Sequence, residues 1–558
     1  MFPLNAKTVA ELFSGNQILI YLAISVSCAV MLYFASIKFL LALQQGGYKG
    51  KRYFKWLANP YTPYLSRLML LSFMAVLFFC ILAVCVNPIV KSTASSYVGF
   101  VSFLLFVGIY IDTENSVNAK IPLKKTRRLV RLCIVYLLVL TAVCFLVVCL
   151  VNYLAFIIGD EIFAILRYAV ICVLPLLSPF ILFFAYCITY PFERLRYRHY
   201  VRLASLKIQS TDVIKIGITG SYGKTSVKEI LRTILSQKYR VLSTPESYNT
   251  PMGVCLTTKK LDSTHDVFLV EMGARNKGDI KELCNMVKPS IGVITGINSQ
   301  HLESFGSIDN IKSTKFELIE SLKDGGTAFF TSDCEEALDL YNDCKSEKYL
   351  AGLTEKDSLV YATDVKITKF GASFTLNVKG YEPVKCNTVL LAKHSISNIC
   401  LACAVAYRLG LTPTEMALGI NKITSVGHRL ELIPNNKNIV IIDDSYNSNV
   451  NGVYSAMEVL DMFEGRKIVM TPGLVELGKE ENRANLQLGR ILAKHADIVI
   501  ITGKQNAEMI INGLLDEGMN RENIIYAKSL KKGNEELNAI AKDGDVVLFE
   551  NDLPDNYN

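Results

Sequence analysis

A chain of 558 residues has room for roughly three or four domains. Its 51% hydrophobic content and mean hydropathy of +0.30 are too apolar for a protein that is soluble throughout. Charge is divided unevenly: residues 1–208 hold 20 Lys/Arg against 6 Asp/Glu, and the remainder holds 39 against 45. A basic half can face nucleic acid or a membrane surface, and the long apolar runs beside these charges exclude the first in favour of the second. Of 15 cysteines, eight fall in the apolar stretches before residue 208. The one C-x-x-C, Cys400 to Cys403, sits in an apolar helical pattern with no second pair to complete a zinc site. It reads as core, and the thiols fit a reducing compartment.

A membrane span needs about 20 mostly apolar residues. Five stretches qualify in chain order: Ile18–Leu43, Leu65–Val86, the shorter Tyr97–Ile111, Leu129–Ile158 and Tyr168–Tyr190. Lys38 lies near the end of the first, where it can snorkel, and Arg167 lies just before the last. Pro175 and Pro179 are expected to kink the last span. The intervening segments alternate in charge. Lys49, Lys51, Arg52, Lys55 and Arg67 stand in the first, and Lys120, Lys124, Lys125, Arg127, Arg128 and Arg131 in the third. Arg194, Arg196, Arg198 and Arg202 follow the last span, whereas the second segment holds only Lys91 and the fourth is acidic, Asp160-Glu161. The bias predicts an outside N-terminus and a cytoplasmic C-terminal half, at a multi-pass cell membrane protein. No small-residue cleavage site follows the first run, so a cleavable signal is not expected.

Beyond residue 209 the pattern changes. Val213–Thr219, Arg240–Thr244, Val267–Met272 and Ile291–Ile297 are apolar strand runs alternating with helical patterns, the rhythm of a parallel, doubly wound sheet whose ligands bind beyond the carboxyl ends of its strands. After the first strand comes Gly217-Ile-Thr-Gly220-Ser221-Tyr222-Gly223-Lys224-Thr225-Ser226. A helical pattern then follows, with Val227, Ile230, Leu231, Ile234 and Leu235 on one face. Glycines there let backbone N–H groups close around phosphate oxygens. Lys224 can reach the β- and γ-phosphates, and the Thr225 hydroxyl is placed to hold Mg²⁺. A strand-end carboxylate, Glu271, suits the same hard cation.

Only two residues separate Gly220 from Gly223, where the general phosphate loop has four. This shortened loop resembles that of the Mur ligase family, and the stretch looks most like its MurF branch, which adds a dipeptide to a cell-wall precursor. Further segments are similar to that branch in the family's order: His301-Leu-Glu303-Ser-Phe-Gly306, Lys312-Ser-Thr-Lys315, His394-Ser-Ile-Ser-Asn398, Gly427-His-Arg429-Leu-Glu431 and Asp443-Asp444-Ser-Tyr446-Asn447-Ser-Asn449. The resemblance implies that ATP and two Mg²⁺ bind here, with Glu271 and His301 as metal ligands and Lys315 carbamylated so that it supports a cation. It also implies that His394 and Asn398 lie at the nucleotide base. Arg429 is expected to reach the phosphates, and Asp444 and Asn447 to face the nucleotide and the catalytic centre. Without it, Lys315 reads as a surface lysine, and Ser395 or Ser397 as a helix N-cap.

Two departures stand out. Gly296 follows Thr295 where the family usually has Asn, with Asn298 two residues on. After the last strand, Val546–Phe549, stands Glu550-Asn-Asp552 where MurF enzymes usually place Lys-Gly-Ser-Arg, so the basic group expected for a substrate carboxylate is acidic here.

The expected architecture is an all-α bundle of about five spans (residues 1–208), a P-loop parallel-sheet α/β domain (209–425) and a Rossmann-like α/β domain (426–558). The expected function is a membrane-anchored ATP-dependent ligase. It would join an amino acid or short peptide to a carboxylate donor through an acyl phosphate, the donor being a cell-wall or cell-surface precursor held on a lipid. Two alternatives stand beside it: an amino-acid polymerase of the poly-γ-glutamate type, and a nucleotide-binding membrane scaffold without ligase activity. Nucleic acid is not expected as a partner.

Overall fold

A computed structural model describes residues 14–59, 64–86, 94–115, 123–158, 167–298, 302–323, 325–435, 438–446, 450–475 and 477–551. The chain divides into two compact units between Arg196 and Tyr197.

The first unit is all helical: Gly15–Ala35, Ile37–Gln45, Gly50–Leu57, Tyr64–Val86, Ala94–Asn115, Arg127–Ile158, a 3₁₀ stretch Arg167–Val173, and the start of Leu174–Ser210. Four of its helical stretches are long and apolar enough to cross a membrane, namely Gly15–Ala35, Tyr64–Leu82, Arg127–Ile158 and Ala169–Ser210. The third expected span contributes a shorter apolar helix, Val101–Asp112. Large apolar side chains such as Phe73, Leu138 and Leu146 are exposed on the bundle, as lipid-facing residues are.

The expected first span, Ile18–Leu43, is broken at Ser36. Its hydroxyl bonds back to the Leu32 carbonyl at 2.7 Å and meets the buried Tyr136 hydroxyl at 2.6 Å. A serine that bonds to its own preceding turn loosens the helix there. Pro175 does not kink a continuous span: the 3₁₀ stretch ends at Val173, and Pro175 falls in the first turn of the α-helix, where no intrahelical N–H is required. Pro179 and Pro191 lie inside that helix; the Pro175 carbonyl, left without an N–H donor by Pro179, accepts from Ser178 Oγ at 2.8 Å, and the Pro179 carbonyl accepts from Tyr53 at 3.0 Å. Arg131 pairs with Glu193 through two bonds of 2.6 and 2.9 Å.

The second unit holds two sheets. In the first, the strands are β1 (Ile214–Thr219), β2 (Val241–Ser243), β3 (Val267–Glu271), β4 (Ile291–Ile294), β5 (Thr327–Thr331), β6 (Glu347–Gly352), β7 (Ser358–Thr368), β8 (Gly371–Val378) and β9 (Val384–Thr388). Their order is β2-β3-β1-β4-β5-β6-β7-β8-β9, parallel as far as β7 and antiparallel beyond it. Helices Lys224–Leu235 and Lys393–Arg408 bury one face of this sheet around Ile216, Phe329 and Ile399. Helices Pro251–Thr258, Asp279–Val287, Ile308–Glu320 and Glu335–Asp343 bury the other around Phe268, Met272 and Phe330. Cys400 and Cys403 are fully buried in the first core, as packing residues.

In the second sheet, β10 (Glu431–Leu432), β11 (Val440–Asp444), β12 (Lys467–Thr471), β13 (Ile498–Thr502), β14 (Ile524–Ala527) and β15 (Val546–Glu550) run in the order β10-β11-β15-β12-β13-β14. All but β10 are parallel, so Asp444 and Glu550 end neighbouring strands in register. Both sheets therefore present the carboxyl ends of parallel strands, which is where α/β folds bind ligands.

Candidate functional site

The loop after β1 turns into helix Lys224–Leu235 through Gly223, whose φ of 78° is a left-handed conformation that an L side chain adopts only under strain. A Cβ there would also lie 3.1 Å from Asn398 Oδ1, so helix Lys393–Arg408 closes over the loop. No side chain caps the helix, and its first backbone N–H groups face the loop. Lys224 folds across it, its ammonium donating to the carbonyls of Gly220 at 2.8 Å and Ser221 at 2.9 Å. Ser226 stands half-buried in the first helical turn. Ser221 N–H bonds the Gly296 carbonyl at 2.6 Å, tying the loop to the end of β4.

The Tyr222 ring lies over Gly296, so any side chain at 296 would overlap the phenol. This accounts for Gly296 in place of the family's asparagine. The Thr295 hydroxyl donates to the Tyr222 carbonyl and fixes the same turn.

Glu271, at the end of β3 and only 1% exposed, is held from three sides. Thr225 Oγ1 donates to its Oε2 at 2.9 Å, Asn249 Nδ2 donates to Oε1 at 3.1 Å, and the Lys228 ammonium stands 3.5 Å away. Lys228 is fully buried, donates to the Glu246 carbonyl and lies 3.3 Å from Glu229. Neither Lys228 nor Asn249 was singled out by sequence. Lys228 carried a signal: it is one turn beyond Lys224 and on the stripe of Leu231 and Leu235, a charge on an apolar face. Asn249 had none, since its loop is shaped by contacts far along the chain. Thr225 and Glu271 supply two hard oxygen donors side by side at the mouth of the loop, a set that fits Mg²⁺. Among the described residues there is no group of three or more His, Cys, Asp and Glu, and His301 lies outside those residues.

Lys315 is buried on helix Ile308–Glu320 rather than on the surface. That helix can sit close because β1 and β4 carry glycines beneath it. A Cβ on Gly217 would be 2.8 Å from Leu318 Cδ1, and one on Gly292 3.0 Å from Ile319 Cδ1. Burial, and then the Lys224 charge, lower the Lys315 pKa to about 7, so much of it is a neutral amine at neutral pH. Lys224 is lowered by burial to about 8, with Glu271 opposing and Arg429 adding to the shift.

The second sheet brings Arg429 into the same field. Its neighbours His428 and Leu430 both have left-handed backbones, φ 60° and 48°, and the His428 ring bonds Asp443 at 2.7 Å. The Arg429 guanidinium lies 4.3 Å over the Tyr446 ring and donates to the Tyr446 carbonyl at 3.2 Å. Asp444 accepts from the Leu430 N–H at 3.2 Å. Burial raises its pKa to about 6, and Arg429 opposes this. His394 opens helix Lys393–Arg408; the protein around it, and then the Arg429 charge, lower its pKa to about 4, so the ring is neutral. Ser395 and Ser397 are inside that helix, whose N-cap is Ala392, so neither serves as the cap.

The structure thus brings Gly220, Ser221, Tyr222, Gly223, Lys224, Thr225, Ser226, Glu271, Lys315, His394, Asn398, Arg429 and Asp444 to one region. Asn447 and Asp552 lie outside the described residues, and Glu550 is fully buried at the end of β15.

Two known families account for this arrangement. Residues 218–406 match the Mur ligase middle domain, and residues 428–550 match the domain described as Mur ligase, glutamate ligase domain. The UDP-N-acetylmuramoyl-tripeptide–D-alanyl-D-alanine ligase of Bacillus subtilis (strain 168) is 30% identical over 355 residues, 62% of this chain and 75% of that protein. The enzyme of the same name from Escherichia coli (strain K12) is 30% identical over 54% of this chain and 68% of its own. The MurF ligase of Thermotoga maritima, solved in complex with ADP, shares the fold with a TM-score of 0.56 at 24% identity, over 64% of this chain and 80% of that one. Shared sequence over most of these relatives' length, together with the matching fold, means that this chain belongs to the Mur ligase family of ATP-dependent, ADP-forming ligases.

Proposed function

We propose that this chain is a membrane-anchored, MurF-like peptide ligase whose donor is a carboxylate on a lipid-linked cell-wall precursor and whose acceptor is an amino acid or short peptide. Its relatives' names point to a muramoyl-peptide type of donor and to D-alanyl-D-alanine as one acceptor. The domain limits proposed are 1–208 for the membrane part, 209–425 for the ATP-binding domain and 426–558 for the terminal domain, the last two cytoplasmic. One observation carries this reading: a phosphate loop surrounded by Lys224, Lys315, Glu271 and Arg429 in a chain that also has four helices long and apolar enough to span a bilayer.

ATP, when bound with Mg²⁺, would supply the phosphoryl group that activates the donor carboxylate, leaving ADP, and Mg²⁺ would neutralise charge on the phosphates. The chain's own residues do the rest. The N–H groups of the loop and of the first turn after Gly223 cradle phosphate oxygens. Lys224 and Arg429, on opposite domains, concentrate positive charge where the transferring phosphoryl group becomes more anionic. Thr225 and Glu271 would hold the first Mg²⁺. Lys315 as a free amine is no ligand for a hard cation, but its lowered pKa makes it a nucleophile for CO₂, and the carbamate so formed would offer oxygens to a second cation. His394 and Asn398 would meet the nucleotide base, and Asp444, close enough to act on the Arg429 charge, would help to orient that guanidinium.

The test is ADP release by the purified full-length protein. Release that requires both a lipid-linked donor and an amine supports the reading. Equal release with no amine, or with a soluble donor only, overturns it.

A further inference from the structure

Away from the nucleotide site, the polar end of helix Leu174–Ser210 packs against helix Asp279–Val287 and leaves a groove of about 530 Å³ between them. Three cations line it: Arg198, Arg202 and Lys281. Among the described residues none pairs with these side chains, although each is within reach of solvent. Val201, Leu206 and Met286 form an apolar floor. The walls are fixed. Ser205 Oγ donates to the Met286 carbonyl at 3.0 Å, and Tyr197 OH donates to Glu282 Oε1 at 2.7 Å. Glu317, from a third helix, accepts from the N–H groups of Gly278 at 2.7 Å and Lys281 at 2.9 Å, holding the loop that carries Lys281. Glu282 is the one acidic lining residue, and Tyr197 already engages it, so cations outnumber it three to one.

We propose that this groove is a docking site for the anionic phosphate headgroup of a membrane lipid. The inference rests on the membrane-anchored reading above. The groove begins at Tyr197, seven residues after Tyr190, where the apolar run of the last span ends. Two arginines one helical turn apart present guanidinium forks, the donor geometry that phosphate accepts best. An apolar floor beneath cations suits the junction of headgroup and glycerol, where a soluble anion would gain nothing from it. Near an anionic surface each basic side chain strengthens binding about fivefold, so the trio is enough to select anionic over zwitterionic lipid. The lipid would hold the start of the ATP-binding domain at the bilayer surface, within reach of a lipid-linked donor.

Hydrogen exchange of the full-length protein in nanodiscs tests this. In discs that contain phosphatidylglycerol, backbone exchange over residues 197–206 and 278–286 is expected to be slower than in pure phosphatidylcholine discs, by about fivefold. Arg198→Gln, Arg202→Gln and Lys281→Gln together should abolish the difference. Lys369→Gln, Lys379→Gln and Lys385→Gln, on the exposed hairpins, should preserve it. Equal exchange in the two lipids, or protection that survives the groove triple variant, overturns the proposal. Protection by inorganic pyrophosphate in detergent, with no response to phosphatidylglycerol, also overturns it in favour of a soluble phosphate. Failure of the chain to enter nanodiscs at all would overturn the membrane-anchored reading together with this one.

Discussion

At the scale of single residues, the site is governed by how cations are stacked around the phosphate loop. Lys224 has a pKa lowered from 10.5 to about 8, so the fold disfavours its charged form. Between about pH 8 and 10.5 the unfolded chain still holds this proton while the folded chain has released it, so this residue's contribution to stability improves as pH rises through that window. Nucleotide works the other way, since phosphates favour the ammonium. ATP binding should therefore weaken above about pH 8 and take up protons there, which calorimetry in buffers of different ionisation heat would reveal. A fall in affinity only above pH 10 would contradict it.

Lys315, with a pKa of about 7, should form a carbamate at neutral pH. In ¹³C-bicarbonate the wild type should show a carbamate resonance that Lys315→Gln lacks. Lys228 is the buried partner of Glu271 on the phosphate-loop helix. Lys228→Met leaves Glu271 buried without its cation, a loss of roughly 3 kcal/mol. It should lower the melting temperature of the nucleotide-binding part by several degrees and weaken Mg²⁺-nucleotide binding, whereas Lys228→Arg should recover part of both. Unchanged Mg²⁺ dependence in the Met variant would remove Lys228 from the site.

At the scale of elements, the phosphate loop and its strand and helix were legible because glycine spacing and apolar periodicity are local. So were β1, β2, β3, β4 and β15, each a short apolar run. Helix Glu335–Asp343 was missed because its one apolar stripe, Ala337 and Leu340, is swamped by acidic residues. Ser36, where the first span breaks, meets Tyr136 a hundred residues away, a contact that no local pattern announces. Close approach was equally hidden. Gly217 and Gly292 look like ordinary strand glycines, yet they let the Lys315 helix settle onto the sheet. Gly217→Ala should cost about 1–3 kcal/mol, since the intruding Cβ meets Leu318 and Met272 side chains that can yield only partly. It should also depress ligase turnover more than nucleotide binding, because Lys315 moves while the loop does not. The Tyr222–Gly296 pair makes a matching case. Gly296→Asn should be poorly folded alone and rescued by Tyr222→Ser, which a thermal shift measurement would show; failure of the rescue would mean that Gly296 answers to some other neighbour.

At the scale of the molecule, the family was legible because its motifs occur in order from Gly217 to Asn449, and the matched domains at 218–406 and 428–550 take in nearly all of them. What precedes them is a helical unit with four stretches able to span a bilayer, which bears on where this ligase meets its donor. The most direct measurement is the intact mass of lipid-linked and soluble cell-wall precursors in the producing cell, with Lys224→Ala in place of the wild type. Accumulation of a lipid-linked species lighter by one amino-acid or dipeptide residue is the predicted result, and it would name donor and acceptor together. An unchanged lipid-linked pool, with the deficit in a soluble precursor or in none, would contradict the account.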